Sequence, residues 1–140
     1  MFSGFNVIVR DMAASREFYE RLGVRFKDTA PEWSAHHITA DRPESFDLDL
    51  DSEEFANRWD AGWPGNGGGG FGVLGFWVST RADVDELYDE MVGSGYASQQ
   101  EPYDAFWGAR YAVIEDPDGN AVGLMSPMDD EHRSDPPPPS

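Results

Sequence analysis

Three histidines, His36, His37 and His132, are the side chains of this 140-residue chain that could serve as a base near neutral pH in the usual way. His36 and His37 are adjacent. On an extended strand neighbours point to opposite faces, so the pair cannot converge on one ion. His132 falls in a stretch, "MDDEHRSDPPPPS", without apolar periodicity. There is no cysteine, which removes disulfides, thiolate metal sites and a cysteine nucleophile. No GxSxG pattern accompanies the serines, so a Ser-His-Asp hydrolase has no support. The glycine-rich "WPGNGGGG" lacks the lysine and Ser/Thr of a phosphate-cradling loop and precedes a strand pattern, where that chemistry needs a helix start.

What remains are acids and aromatic rings. Asp47, Asp49 and Asp51 alternate with Phe46, Leu48 and Leu50, giving a strand with one acidic and one apolar face. Turned into a cavity, the aspartates would attract an amine or another cation; turned outward, they are merely solvated. The tryptophans number five, more than a core of this size demands. Rigid rings with glycines between them suit a flat ligand held by stacking, and they suit a core or an interface equally. In "FWGARY", Arg110 could stack on an aromatic ring, hold an acidic group, or form an exposed salt bridge.

The chain must position these groups with one sizeable core, which 140 residues at 39% hydrophobic content can bury. A formal charge of −17, with ten Lys and Arg, argues against nucleic acid and anionic membranes and leaves a neutral or cationic ligand easier to accommodate. No run approaches the length of a membrane span, and no basic segment with an apolar stretch opens the chain, so a cytoplasmic protein is expected.

Periodicity supplies the elements. "FNVIVRD" alternates as a strand. Asp11 suits a helix N-cap, "MAASREFYERL" sets Ala14, Phe18 and Leu22 on one stripe, and Gly23 ends it. Short strand patterns follow in "GVRFKD", "SAHHITA" and "SFDLDLD". After the glycine-rich break the order begins again: "FGVLGFWVST" as a strand, "ADVDELYDEMV" as a helix with Val84, Leu87, Tyr88 and Met91 at helical spacing, then "YASQQ", "ARYAVIED" and "NAVGLMS". The chain reads as an internal duplication of β-α-β-β-β. The expected organisation is an α+β domain over 1–126, with module one at about 1–60, a linker at about 61–70 and module two at about 71–126. A disordered tail is expected over 127–140.

Two such modules, together with "DMAASREFYERLGVRF" near the start and "DPDGNAVGLM" near the end, resemble the vicinal oxygen chelate superfamily of glyoxalases, bleomycin-resistance proteins and extradiol dioxygenases. The resemblance implies two curled mixed sheets, each holding a cup on its concave side, in a homodimer with modules paired or swapped between chains. It also implies four positions where enzymatic members hold a divalent metal. In this chain those positions are Gly4, Asp47 or Asp49, Val73 and Gly123. A hard divalent ion needs several converging oxygen or imidazole donors, which this set does not supply, so neither metal nor other cofactor is expected.

The cup face then receives Asn6, Ile8, Gly75, Trp77, Ala121 and Met125. The expected ligand-binding residues are Trp77, Trp107, Trp59, Trp63, Tyr111, Asn6, Asp49, Arg110 and Met125, and no catalytic residue is assigned. The reading closest to these features resembles the bleomycin-resistance branch: a protein that sequesters an aromatic, neutral or cationic natural product or antibiotic. A glyoxalase-like lyase, isomerase or dioxygenase with an atypical metal site, and a metal-free biosynthetic catalyst using an acid such as Asp49 or Glu115, remain as alternatives.

Overall fold

The computed structural model describes residues 4–41, 47–59, 65 and 73–135. The chain divides into two compact units, Met1–Gly68 and Gly69–Ser140.

The first unit contains β1 (Gly4–Val9), α1 (Met12–Arg21), β2 (His37–Thr39), β3 (Asp47–Ser52) and α2 (Glu53–Trp59). Its sheet has the order β1-β3-β2, with β1 parallel and β2 antiparallel to β3. The register pairs Asn6 with Asp49, Ile8 with Asp51, and His37 and Thr39 with Asp51 and Asp49, so these six residues share one face. Val7, Val9, Ile38, Leu48 and Leu50 make the other face and are buried, with α1 lying against β3. Asp11 caps α1 through a bond from the Ala14 amide, and Gly23 follows its end at φ +93°. The buried stripe of α1 is Met12, Ser15, Phe18 and Tyr19; of the expected Ala14, Phe18 and Leu22 only Phe18 is fully buried, and Leu22, at the C-cap, and Ala14 are half-buried.

Two further expectations for this unit are corrected. "GVRFKD" contributes only a bridge between Phe26 and Ala40, flanked by the Lys27 amide on Thr39 O at 2.9 Å; the pairing is too short to make a strand. β2 starts at His37 because Trp33 O accepts from the amides of both His36 and His37, winding the preceding residues into turns. Helix α2 is a feature the strand pattern conceals. Ser52 ends β3, and its hydroxyl accepts from the Phe55 amide at 3.1 Å, opening a helix with Glu53 and Glu54 in its first turn.

The second unit contains β4 (Val73–Trp77), α3 (Arg81–Gly93), β5 (Ser98–Asp104), β6 (Arg110–Glu115), β7 (Ala121–Met125) and a 3-10 turn at Asp130–His132. Thr80 and Asp83 form a capping box at the start of α3. The sheet order is β4-β7-β6-β5, with β4 parallel to β7 and the rest antiparallel. Leu74, Phe76, Ala112, Ile114, Val122 and Leu124 line one face. Of these, Ala112, Ile114, Val122 and Leu124 are buried, as are Val84, Tyr88 and Met91 of α3, which packs on β5, β6 and β7. Full burial of each large side chain contributes about 1.5–3 kcal/mol relative to exposure. The turn between β6 and β7 is built as its residue types demand. Asp116 Oδ1 accepts from the amides of Asp118 and Asn120, the Asn120 side chain donates to Asp116 Oδ2, all at 2.9 Å, and Gly119 takes φ +84°.

The segment after β7 differs from the disordered tail expected over 127–140. Asp129 N–H donates to Gly108 O at 3.0 Å, Trp107 bridges Arg133, and Ser134 N–H donates to Phe106 O at 2.9 Å, so the chain returns along the loop before β6. Residues 136–140 lie outside the described residues.

Candidate functional site

The face of the second sheet away from α3 carries Val73, Gly75 and Trp77 from β4, Tyr111 and Val113 from β6, and Ala121, Gly123 and Met125 from β7. Gly75 and Gly123 are direct partners; nothing lies within 4 Å of a Cβ built on Gly75, which leaves open space at that point of the face. A cavity of about 290 Å³ lies over it, lined by Val73, Gly75, Phe76, Trp77, Trp107, Tyr111 and Met125. Four of the expected ligand residues, Trp77, Trp107, Tyr111 and Met125, therefore meet in one pocket; Val73, Gly75 and Phe76 complete it. The alternation along β4 that places Trp77 also places Val73 and Gly75.

The rings are fixed relative to one another. Trp107 stands edge-on to Tyr111 at 5.3 Å and to Phe106 at 5.1 Å, and its indole Nε1 donates to Met125 Sδ at 3.3 Å. Tyr103 packs edge-on to Tyr111 at 6.2 Å. Burial, and secondarily the neighbouring Tyr103, raises the Tyr111 pKa above the ordinary tyrosine value, so its phenol stays protonated near neutral pH. Trp77 remains 64% exposed, an unusual state for so large an apolar ring and one that leaves its face open to a ligand.

Gly123 explains why the pocket has this shape. A Cβ there would lie 2.7 Å from Tyr111 Oη and 3.1 Å from both Tyr111 Cε1 and Val73 Cγ1. The space a side chain would occupy is filled by the tyrosine ring. At the two metal positions the resemblance assigns to this unit, Val73 offers no donor, and Gly123 gives way to a phenol held neutral. Among the described residues no group of three or more His, Asp and Glu could hold an ion. These residues do not fit the divalent metal of the superfamily's enzymes.

The remaining expected residues are placed elsewhere. Arg110 is adjacent to Tyr111 on β6 and so faces the helix side. Its Nε donates to Asp85 of α3 at 3.1 Å and its Nη1 to Asp104 at 3.3 Å, so of the three roles open to Arg110 the structure shows the salt bridge. Asn6 and Asp49 belong to the first unit, where the Asn6 side chain donates to Asp51 Oδ2 at 2.8 Å and Asp49 lies opposite Asn6 and Thr39. Trp63 and the Trp59 side chain lie outside the described residues.

The loop that carries Trp107 is braced from behind. Arg81 donates to Gly108 O at 2.9 Å and pairs with Asp104, which also meets Arg110. The hydrogen bond from Arg81, with the charge of Arg110 beside it, lowers the Asp104 pKa. A depressed folded value contributes stability above the unfolded carboxylate pKa of about 3.9 that is lost as pH falls through the folded value. Asp104 is 61% exposed, so solvent screening limits the effect to under about 1 kcal/mol. Urea unfolding should find Asp104→Asn slightly less stable than wild type at about pH 6, with the gap closing in acid.

Two units, each pairing its first strand in parallel with its last and covering one sheet face with a helix, define a duplicated-module α+β protein. The chain belongs to the Glyoxalase/Bleomycin resistance protein/Dioxygenase superfamily, whose family model matches residues 2–124. No curated protein matches the sequence. Among solved structures, a glyoxalase/bleomycin resistance protein/dioxygenase family enzyme from Burkholderia phytofirmans PsJN is similar at TM-score 0.75 and 23% identity, covering 89% of this chain and 96% of that one. A glyoxalase-related enzyme from Fulvimarina pelagi gives TM-score 0.76 at 19% identity, covering 91% and 88%. A lactoylglutathione lyase from Agrobacterium tumefaciens gives 0.65 at 21%, covering 90% and 92%. At these identities the similarity establishes the fold alone. No helix among the described residues is long and apolar enough to cross a membrane.

Proposed function

We propose that this superfamily member is a metal-free binding protein that sequesters an aromatic, neutral or cationic small molecule, of the antibiotic-binding kind, in the pocket of its second unit. The carrying observation is the open indole face of Trp77 beside the open space over Gly75, with Trp107 and Tyr111 fixed edge to face next to it. A planar ring system entering there gains roughly 25 cal/mol per Å² of apolar surface buried, less the cost of ordering it. The formal charge of −17 favours a cationic over an anionic ligand. Cytoplasmic action as a homodimer belongs to the same proposal.

Titration with a panel of aromatic peptide and polyketide antibiotics should quench tryptophan fluorescence with saturation at one ligand per pocket. Trp107→Ala should weaken the best binder about tenfold, the order expected for losing a buried stacking partner. A flat response across the panel rejects the proposal. Elemental analysis of protein purified without chelator tests the lyase or dioxygenase alternative: a stoichiometric divalent ion would favour that alternative.

A further inference from the structure

The first unit contains a second cavity, of about 440 Å³, whose lining includes Lys27, Trp33, His37, Thr39 and Phe55. Trp33 and Phe55 meet edge to face at 5.5 Å, and the His37 ring lies 5.3 Å from Phe55. Behind the imidazole sits Asp51, fully buried. Asp51 Oδ1 is 2.5 Å from His37 Nδ1, and its Oδ2 accepts from the Asn6 side chain at 2.8 Å. With Asp51 as a carboxylate, which can only accept, this contact assigns the ring's N–H to His37 Nδ1. In the neutral ring, Nε2 is then left as a lone-pair acceptor. It lies 3.3 Å from the Thr39 hydroxyl, whose residue also lines the cavity. The His37 side chain is 35% exposed while the Asp51 side chain is 1% exposed, so the ring is open to the cavity and its orienting partner is not.

We infer that His37 is a general base, and that this cavity binds flat compounds carrying a weakly acidic C–H or O–H. This site is built from residues of the first unit and does not depend on the function proposed for the second. The proton passes from substrate to His37 Nε2, and the electron pair of the broken bond stays on the substrate as a delocalised anion. Return of the proton from the imidazolium to another atom of that anion completes a tautomerisation, with no metal or redox partner in the balance. Asp51 is a positioning residue that fixes the tautomer and favours the imidazolium as it forms. Lys27 supplies positive charge in the lining to offset the anion; among the described residues Asp28 also lines the cavity, Asp49 lies opposite Thr39, Glu32 lines the adjoining space beside Trp33 and Phe55, and Glu54 stands 4.0 Å from the His36 ring.

The substrate is tested by a surrogate, 5-nitrobenzisoxazole, a flat ring opened by base alone. The base takes the carbon-bound proton of the isoxazole, that C–H pair becomes the nitrile bond, the N–O bond breaks, and a coloured nitrophenolate leaves. The proton returns from His37 to water. Wild-type protein should open the ring with saturation kinetics. His37→Gln, which keeps a donor for Asp51, should lower kcat about 100-fold, the lower end of what a positioned base contributes. Asp51→Asn should lower kcat with KM nearly unchanged. His37→Ala, confirmed folded by circular dichroism, should regain rate on addition of free imidazole, which a purely structural histidine would not. Equal rates for wild type and His37→Gln, a wild-type rate no faster than free imidazole at equal concentration, or a loss in His37→Ala that imidazole does not restore would each overturn the assignment.

Discussion

Gly108→Ala is expected to lower the unfolding free energy by about 2–4 kcal/mol, combining a backbone penalty with overpacking, and to weaken ligand binding at the aromatic pocket. Gly108 takes φ +96°, a conformation side chains rarely adopt, and its added Cβ would stand 2.5 Å from Asp129 O and 3.2 Å from Asp129 C and N. All three atoms are backbone, so no rotamer change relieves the overlap. Relief requires the returning segment to lift, which gives up the Asp129 amide bond to Gly108 O, the Trp107–Arg133 bridge and the Ser134 amide bond to Phe106 O. Each of these closes on the loop that aims Trp107 at Met125. Urea unfolding should show a lower midpoint at unchanged slope. Truncation after Pro127 removes the clash while leaving the φ penalty, so the alanine should cost less in the truncated chain than in the full one. Equal costs in both would assign the whole effect to the backbone conformation.

The parts of the fold legible in the sequence are those with local causes. Asp11 and Gly23 bound α1, and the repeat of strand, helix and strands is visible because each element has its own period. Asp116, Gly119 and Asn120 announce the last turn by their residue types. The α3 stripe was also readable, with Val84, Tyr88 and Met91 buried, because its apolar residues lie well inside the helix. Features set by distant neighbours were not readable. Whether Asp51 faces solvent or a partner depends on His37, fourteen positions away on another strand, and on Asn6, forty-five away. Arg110 sits beside Trp107 in a written sequence, but strand alternation sends it to Asp85 on α3. The tail looks structureless because polar residues give it no period, and it is held by backbone N–H bonds to 106–108 that any residue type except proline could donate. The aromatic cluster was legible as an excess of tryptophan. Its geometry was not, since that rests on the β4–β7 register setting Gly75 beside Gly123.

Those two glycines look alike in sequence and should respond oppositely to the same change. Nothing lies within 4 Å of a Cβ built on Gly75, so Gly75→Ala is expected to be nearly neutral or slightly stabilising, through lost freedom of the unfolded chain. Gly123 is on β7, paired on both sides, and its Cβ would meet Tyr111 Oη at 2.7 Å and Val73 Cγ1 at 3.1 Å. Gly123→Ala should therefore cost about 1–3 kcal/mol, because the ring must leave a packed position and the strand cannot shift without breaking two ladders. Tyr111→Phe deletes the closest of the overlapping atoms, so adding it to Gly123→Ala should recover part of the loss, with a coupling of about 0.5 kcal/mol or more between the two sites. The tyrosine that fills this space also forms the pocket wall, so Gly123→Ala should weaken the quenching ligand as it destabilises the chain, and Gly75→Ala should separate the two effects. If Gly123→Ala were as stable as wild type, the ring would not be confined by this glycine. The shape of the pocket would then need another cause.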